Sequence, residues 1–537
     1  MNAPLERHEA IIVGAGVCGI HMMQQLLELG IEGIVLERGT DLGGTWYWNR
    51  YPGARFDSES YSYGYSFDAD ILEQWDWSEH FSPQPETLRY LNFVADKWDV
   101  RKYMHFNCTV VSARFSDASD TWTITLEDGR RYECTYFLSA IGMLSAPTMP
   151  TIEGVERFKG PSFHTYHWPK EQLELAGKRV AVVGTGATGV QVIGAIAEQV
   201  GQLTVYQRRP NWCAPLHNAP IDEEEMARIR ATYPEIFARL METPGSFLHG
   251  PDRRDFNSVS QEERLAFWEE LYASPGFGVW LGNFRDVLMD PAANAEYSEF
   301  IANKIRARVD DPELAEKLIP KDHGFGTRRV PMETRYYEAY NLDHVTLVDI
   351  NETPIESVTE KGIRTSDQER DFDIIIYATG FDAITGSFDR IDIRGSQGQK
   401  LRDKWANGPL TYLGLQVAGF PNLVTLAGPQ GASVSSNLPP GIEFAVQWTS
   451  GLLEFMKRNG YQRVQADPDR ELAWVEEVKS GYEGSLLGST KSWFTGYNSN
   501  IEGRDNTRYL IYLLGAPKYR ERMHAIADDG YTGFHFS

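Results

Sequence analysis

Apolar residues follow two rhythms along this chain. From Glu9, EAIIVGAGVCGIHMMQQLLELGIEGIVLERG passes from a short continuous apolar run through a glycine turn to apolar residues returning at helical spacing, then to a second apolar run ending at Glu37. Short apolar runs bounded by glycine predict buried strands, and the three-to-four-residue return between them predicts an amphipathic helix. The same succession recurs in KRVAVVGTGATGVQVIGAIAEQVGQLTVYQRRP, beginning at Lys178. Two strand–helix–strand units predict an α/β fold with two dinucleotide-binding, Rossmann-like domains. Between about residues 222 and 325 the pattern is helical, as in EEEMARIRATYPEIFARLME, which predicts a helical insertion in the second domain. After it, HVTLVDI, PIESVTEKGIRTSD and RDFDIIIYATGFDA return to strands and turns. The expected division is residues 1–147 plus 382–537 for the first domain and 148–381 for the second.

The two glycine turns differ at the end of the second strand of each unit. In GAGVCG, Gly14 permits the tight turn, Gly16 lets backbone amides approach a pyrophosphate, and Gly19 lets the helix pack on the strand, with the helix N-terminus facing the anion. Glu37, at the end of the second strand, is placed to accept hydrogen bonds from a ribose. In GTGATG (Gly184, Gly186, Gly189) the equivalent strand ends in VYQRRP, with Arg208 and Arg209 where the acid would stand. Guanidinium groups pair with a 2'-phosphate that a carboxylate would repel, so the second cradle predicts NADPH, and the acidic first cradle suits FAD.

Composition narrows the partners. The chain has 537 residues, 42% of them hydrophobic, enough for more than one core. A net charge of -23 repels phosphate backbones and anionic head groups, so neither nucleic acid nor a membrane surface is an expected partner. No apolar stretch approaches the length of a membrane span, and the charges at Glu6, Arg7 and Glu9 argue against a signal peptide. Cys18, Cys108, Cys134 and Cys213 are far apart with no CxxC, which predicts neither a disulfide scaffold nor a metal site and fits free thiols in a cytoplasmic protein.

Just before the second cradle, FKGPSFHTYHWPK carries Phe158, Gly160, His164, Trp168 and Pro169 in the spacing F-x-G-x-x-x-H-x-x-x-W-P, which resembles the fingerprint of type I Baeyer–Villiger monooxygenases. GGTWYWNRYPGARFD, from Gly43 to Asp57, resembles that family's other signature. ATGFDA, GTRRVPMETRYYEAYN and SWFTGYN resemble it too, so the likeness spans essentially the whole chain. It implies an FAD- and NADPH-dependent enzyme that inserts one oxygen atom of O2 beside a ketone carbonyl to give an ester or lactone. By resemblance, Arg329 is the catalytic cation and Asp57 the carboxylate that orients it. Arg328 contacts the NADP 2'-phosphate, and Trp493 belongs to a loop that closes over NADP. Cofactor contacts extend to Gly44, Thr45, Trp46, Asp57 and Tyr63 on the flavin side and to Thr185 and Thr188 in the second cradle. The fingerprint is expected to link the two domains rather than touch the reacting atoms. VPMETRYYEAYN and QRRPNWCAPL look most like members acting on bulky cyclic ketones. The rival readings are a flavin monooxygenase that oxygenates sulfur or nitrogen, whose members usually carry Tyr in place of Trp168, and an NADPH-sensing flavoprotein that makes hydrogen peroxide. Oligomeric state stays open.

Overall fold

The computed structural model describes residues 5–501 and 503–537; Met1 to Pro4, at the head of the segment expected not to be a signal peptide, lie outside them. Strand β1 (Glu6–Val13) leads through the first glycine turn into helix α1 (Val17–Leu29) and back into β2 (Gly33–Leu36), which pairs with β1 in parallel. β2 stops one residue short of Glu37. There the backbone N–H of Glu37 bonds the His105 carbonyl at the end of β3 (Met104–His105), and the carboxylate turns back to the cradle. β4 (Val110–Ser116), β5 (Thr121–Leu126) and β6 (Arg131–Ser139) form an antiparallel meander, and β6 then runs parallel to β1. Two later strands complete this eight-stranded sheet: Leu423–Thr425 pairs with the far half of β6, and Asp392–Arg394 pairs with β4. Residues beyond 382 thus share a sheet with the N-terminal unit.

A second sheet has five strands, all parallel, in the order Val345–Asp349, β9 (Gln202–Gln207), β8 (Arg179–Val183), Ile374–Tyr377 and β7 (Ser162–His164). Ala10 to Val13 in β1 and Val180 to Val183 in β8 are buried throughout, as strands covered on both faces must be. Between β9 and Val345–Asp349 the chain is mostly helical, with helices Glu223–Ala231, Tyr233–Glu242, Gln261–Ala273, Pro291–Arg306 and Pro312–Leu318. Asp222, Ser260, Asp290 and Asp311 start four of them by accepting bonds from first-turn N–H groups that have no partner within the helix. A two-residue pairing of Ala214–Pro215 with Met332–Glu333 closes the base of this excursion and sets the Arg328–Arg329 segment beside the second sheet.

The chain crosses between the sheets twice, near residues 143–148 and 380–384. The two crossings are tied by Ile384 N–H to the Met143 carbonyl at 2.7 Å, Asp382 N–H to the Ala146 carbonyl at 2.9 Å and Thr148 N–H to the Gly380 carbonyl at 2.9 Å. Gly380 has a φ of 80°, which favours glycine. All four cysteines are buried and unbridged. Among the described residues no helix is long and apolar enough to cross a membrane.

Candidate active site

The two cradles are built alike. Gly14 and Gly184 have φ values of 108° and 109°, and a Cβ on either would stand 2.5 Å from a carbonyl oxygen of the neighbouring crossing, that of Ala140 or Ala378. A Cβ on Gly19 would collide with the Gly14 carbonyl, and one on Gly189 with the Gly184 carbonyl. Each helix therefore starts hard against its strand with its first N–H groups open to an anion.

The first cradle opens into a cavity of about 320 Å³ lined by Gly14, Gly16, Glu37, Gly44, Thr45, Trp46 and Tyr63, among others. The backbone of Gly44 approaches so closely that its Cβ would lie 2.8 Å from the Gly16 Cα, so cradle and GGTWYW signature form one wall. Glu37 is buried; one carboxylate oxygen accepts from Ala15 N–H at 2.9 Å and the other from Gly39 N–H at 2.6 Å. Each oxygen keeps a further lone pair for a hydroxyl in the cavity. Trp46 donates to the Tyr63 hydroxyl at 3.3 Å, and Tyr63 stacks on Phe56 with centroids 4.1 Å apart.

Asp57 follows this aromatic wall directly. Its Oδ2 lies 2.7 Å from Nη1 of Arg329, and the same oxygen accepts from Met332 N–H at 3.3 Å. The Asp57 side chain is 4% exposed and that of Arg329 29%, so the carboxylate is the buried anchor and the guanidinium the accessible end. The guanidinium also donates to the Val330 carbonyl and lies 5.3 Å from the ring centre of Phe277. Tyr51 donates to Gln191 Oε1 at 2.9 Å, and Gln191 donates to the Arg55 carbonyl at 3.0 Å. These bonds lock the YPGARFD turn onto the helix that opens at the second cradle, Ala187–Ile196. Burial pushes the Tyr51 hydroxyl up to about 12, with Thr188 hydrogen-bonded to it pulling the other way.

At the second cradle Thr185 donates to the Arg209 carbonyl at 2.9 Å. Arg208 donates to Asn500 Oδ1 at 2.9 Å, and Arg209 lies 6.0 Å from the ring centre of Tyr497, so both arginines meet the segment after Trp493. Trp493 itself sits in a one-turn helix with its ring against Phe494. Arg328 pairs with Asp322 at 3.0 Å, while its buried Nε has no partner among the described residues. His323 and Arg328 together hold the Asp322 carboxyl well below its usual range. Arg329 and Asp57 do not line the 320 Å³ cavity, and neither do Arg208, Arg209 and Arg328.

The fingerprint divides. Phe158 packs on the small core beside β8 and Ile374–Tyr377, and Trp168 is buried against Phe163 with centroids 5.0 Å apart. A Cβ on Gly160 would meet the Asp373 carbonyl at 2.7 Å, and Pro169 follows Trp168 at the segment's end. His164 Nδ1 accepts from Tyr166 N–H at 3.1 Å, which leaves Nε2 to donate to the Gly380 carbonyl at 3.0 Å. Burial lowers its pKa to about 4, so it stays neutral.

A family model described as flavin-binding monooxygenase-like matches residues 7–218. Over 98% of both chains, the sequence is 47% identical to the 2-oxo-Δ3-4,5,5-trimethylcyclopentenylacetyl-CoA monooxygenase of Pseudomonas putida. It is 37% identical, over 98% of this chain and 95% of the other, to a Baeyer–Villiger monooxygenase of Pseudooceanicola batsensis. The chain belongs to the Baeyer–Villiger monooxygenase family. The fold of this Baeyer–Villiger monooxygenase matches the crystal structure of OTEMO in complex with FAD and NADP with a TM-score of 0.95, at 46% identity and 99% coverage of both chains.

Several residues of this Baeyer–Villiger monooxygenase that surround the cradles escape sequence reasoning. Arg38, Trp48 and Tyr166 line the first cavity, and Asn500 and Tyr497 engage the arginines. Arg38 and Trp48 carry a signal after the fact, a cation and an aromatic flanking the glycines of the second signature. Tyr166 occupies an unspecified position of the fingerprint and carries none.

Proposed function

We propose that this enzyme inserts one atom of O2 beside the carbonyl of a substituted cyclic ketone, giving a lactone, while NADPH and a proton carry the second atom to water. The observation that carries this reading is the 2.7 Å pair of a buried carboxylate, Asp57, with the partly exposed guanidinium of Arg329. FAD fits the first cavity: glycines admit its pyrophosphate, Glu37 has acceptors for ribose hydroxyls, and the domain formed by residues 1–147 plus 382–537 surrounds it. NADPH fits the second cradle in residues 148–381, where the guanidinium heads of Arg208, Arg209 and Arg328 suit a 2'-phosphate. When bound, FAD accepts a hydride from NADPH and activates O2.

The chain's own work is positioning and charge. Asp57 holds Arg329 in one orientation, and the ring of Phe277 supports its face. Arg329 then supplies fixed positive charge where negative charge develops on oxygen during the insertion. A guanidinium holds its proton where an ammonium can give one up, so it cannot quench that charge. The Met332 N–H bond to the same Asp57 oxygen helps to hold the carboxylate in place and, through it, the cation. Closure of Trp493 and the residues after it over NADPH is supported by the contacts of Asn500 with Arg208 and of Tyr497 with Arg209.

The substrate for which the Pseudomonas putida relative is named supports a ring of the substituted cyclopentenone type. A panel of substituted cyclopentanones, cyclopentenones, cyclohexanones and aryl sulfides, scored by product mass, tests both reaction and substrate class. Lactones one oxygen heavier, formed in step with NADPH loss, are the expected products. Sulfoxides alone would overturn the reading.

A further inference from the structure

Tyr166 is the one fingerprint-segment side chain that lines the first cavity. It is 1% exposed, and its ring stacks on Trp48 with centroids 5.2 Å apart at 10°. Arg38 lies 4.7 Å from the Trp48 ring centre and donates through Nη2 to the Tyr166 hydroxyl at 2.6 Å. Trp48 and Arg38 come from the flavin-side sheet and its signature, whereas Tyr166 follows β7 of the other sheet. The contact therefore spans the two halves.

A tyrosine stacked on a tryptophan is an ordinary way to fill a core. The hydroxyl oxygen already accepts from Arg38, and among the described residues it donates to no protein acceptor, so its proton remains for whatever fills the cavity. Burial also pushes its pKa up, which keeps it a donor. The residue next to Arg38 is Glu37, the ribose acceptor, so the adenosine diphosphate portion of FAD is the part within this neighbourhood. In the other direction the Tyr166 N–H is bonded to His164, and His164 to the Gly380 carbonyl at the crossing between sheets. One short hydrogen-bonded path thus joins the crossing to the cavity wall.

We propose that Tyr166 is a cofactor-binding residue whose hydroxyl, oriented by Arg38, donates to an oxygen of the adenosine diphosphate part of FAD, and that it links FAD retention to occupancy of the NADP site. This rests on the placement of FAD in the first cavity. The test is the rate of FAD release from holoenzyme, measured by the rise in flavin fluorescence, with and without saturating NADP+. Tyr166→Phe keeps the stack and removes the donor. It is expected to release FAD about tenfold faster, with its far-ultraviolet circular dichroism unchanged. NADP+ is expected to slow release in the parent enzyme and to lose most of that effect in Tyr166→Phe. Glu37→Ala serves as the reference for FAD placement and is expected to release flavin faster than either. If Glu37→Ala leaks flavin while Tyr166→Phe holds it at the parental rate, Tyr166 is only a core residue and the inference is overturned. An equal NADP+ effect in parent and Tyr166→Phe overturns the linkage. If Glu37→Ala also holds flavin normally, the placement of FAD itself fails.

Discussion

At the scale of single residues, Arg329 carries the charge on which oxygen insertion depends. Removing one preorganised charge from a reacting centre commonly costs about 100- to 1000-fold in turnover. Arg329→Ala is expected to lose lactone formation by that factor, with residual oxygen consumption appearing as hydrogen peroxide in a peroxidase-coupled assay. Asp57→Ala is expected to fall less far, because Val330 and Phe277 still hold the guanidinium. At the other cradle, Arg208→Ala removes one charge-assisted contact to the 2'-phosphate, which is expected to weaken NADPH about tenfold and leave NADH unchanged in binding titrations. Equal losses for the two coenzymes would move the 2'-phosphate elsewhere.

At the scale of elements, helix α1 carries a burden unrelated to its cradle. His21 is fully buried in it, stacked on Phe67 with centroids 4.6 Å apart and beside Tyr65 and Trp98, and neither ring nitrogen has a partner among the described residues. Burial lowers its pKa to about 3 from the ordinary 6.5. The unfolded chain therefore takes up a proton below pH 6.5 that the fold refuses until about pH 3, and stability is lost as pH falls through that window. Between pH 7 and 5 this one histidine accounts for about 2 kcal/mol. His21→Phe is expected to shrink the fall in melting temperature between those pH values; an unaltered fall would show that other groups govern acid lability. This histidine also marks the boundary of what the sequence discloses. Gly14, Gly19, Gly184 and Gly189 are legible because a tight turn beside a helix start has few chemical solutions, and Glu37 and Arg208 are legible by their place after a strand. Asp57, the partner of Arg329, is legible only through whole motifs, and the partners of His164, Tyr166 N–H and the Gly380 carbonyl, are not legible at all. Tyr166 on Trp48, Gln191 on Tyr51 and Asn500 on Arg208 join positions 118, 140 and 292 residues apart. Local periodicity carries no record of such pairings.

At the scale of the whole molecule, two sheets are joined by crossings that meet at few points, and Gly380 bears two of the bonds there, from Thr148 and His164. A side chain at its φ of 80° has free space but a costly backbone, worth about 1–2 kcal/mol. Gly380→Ala is therefore expected to lower the melting temperature modestly while the cradles themselves stay intact, a combination that calorimetry alongside FAD and NADP+ titrations would detect. Loss of either cofactor's binding in this variant would mean that the crossing shapes a cradle directly. The burial of all four native thiols opens a practical route to watching these parts move. A cysteine introduced at the exposed neighbour Ser499, which leaves the Asn500–Arg208 bond in place, would be the one rapidly alkylated sulfur in an otherwise natural chain, so a dye attached there reports, in real time and without first stripping the background, when the segment that touches Arg208 lifts away.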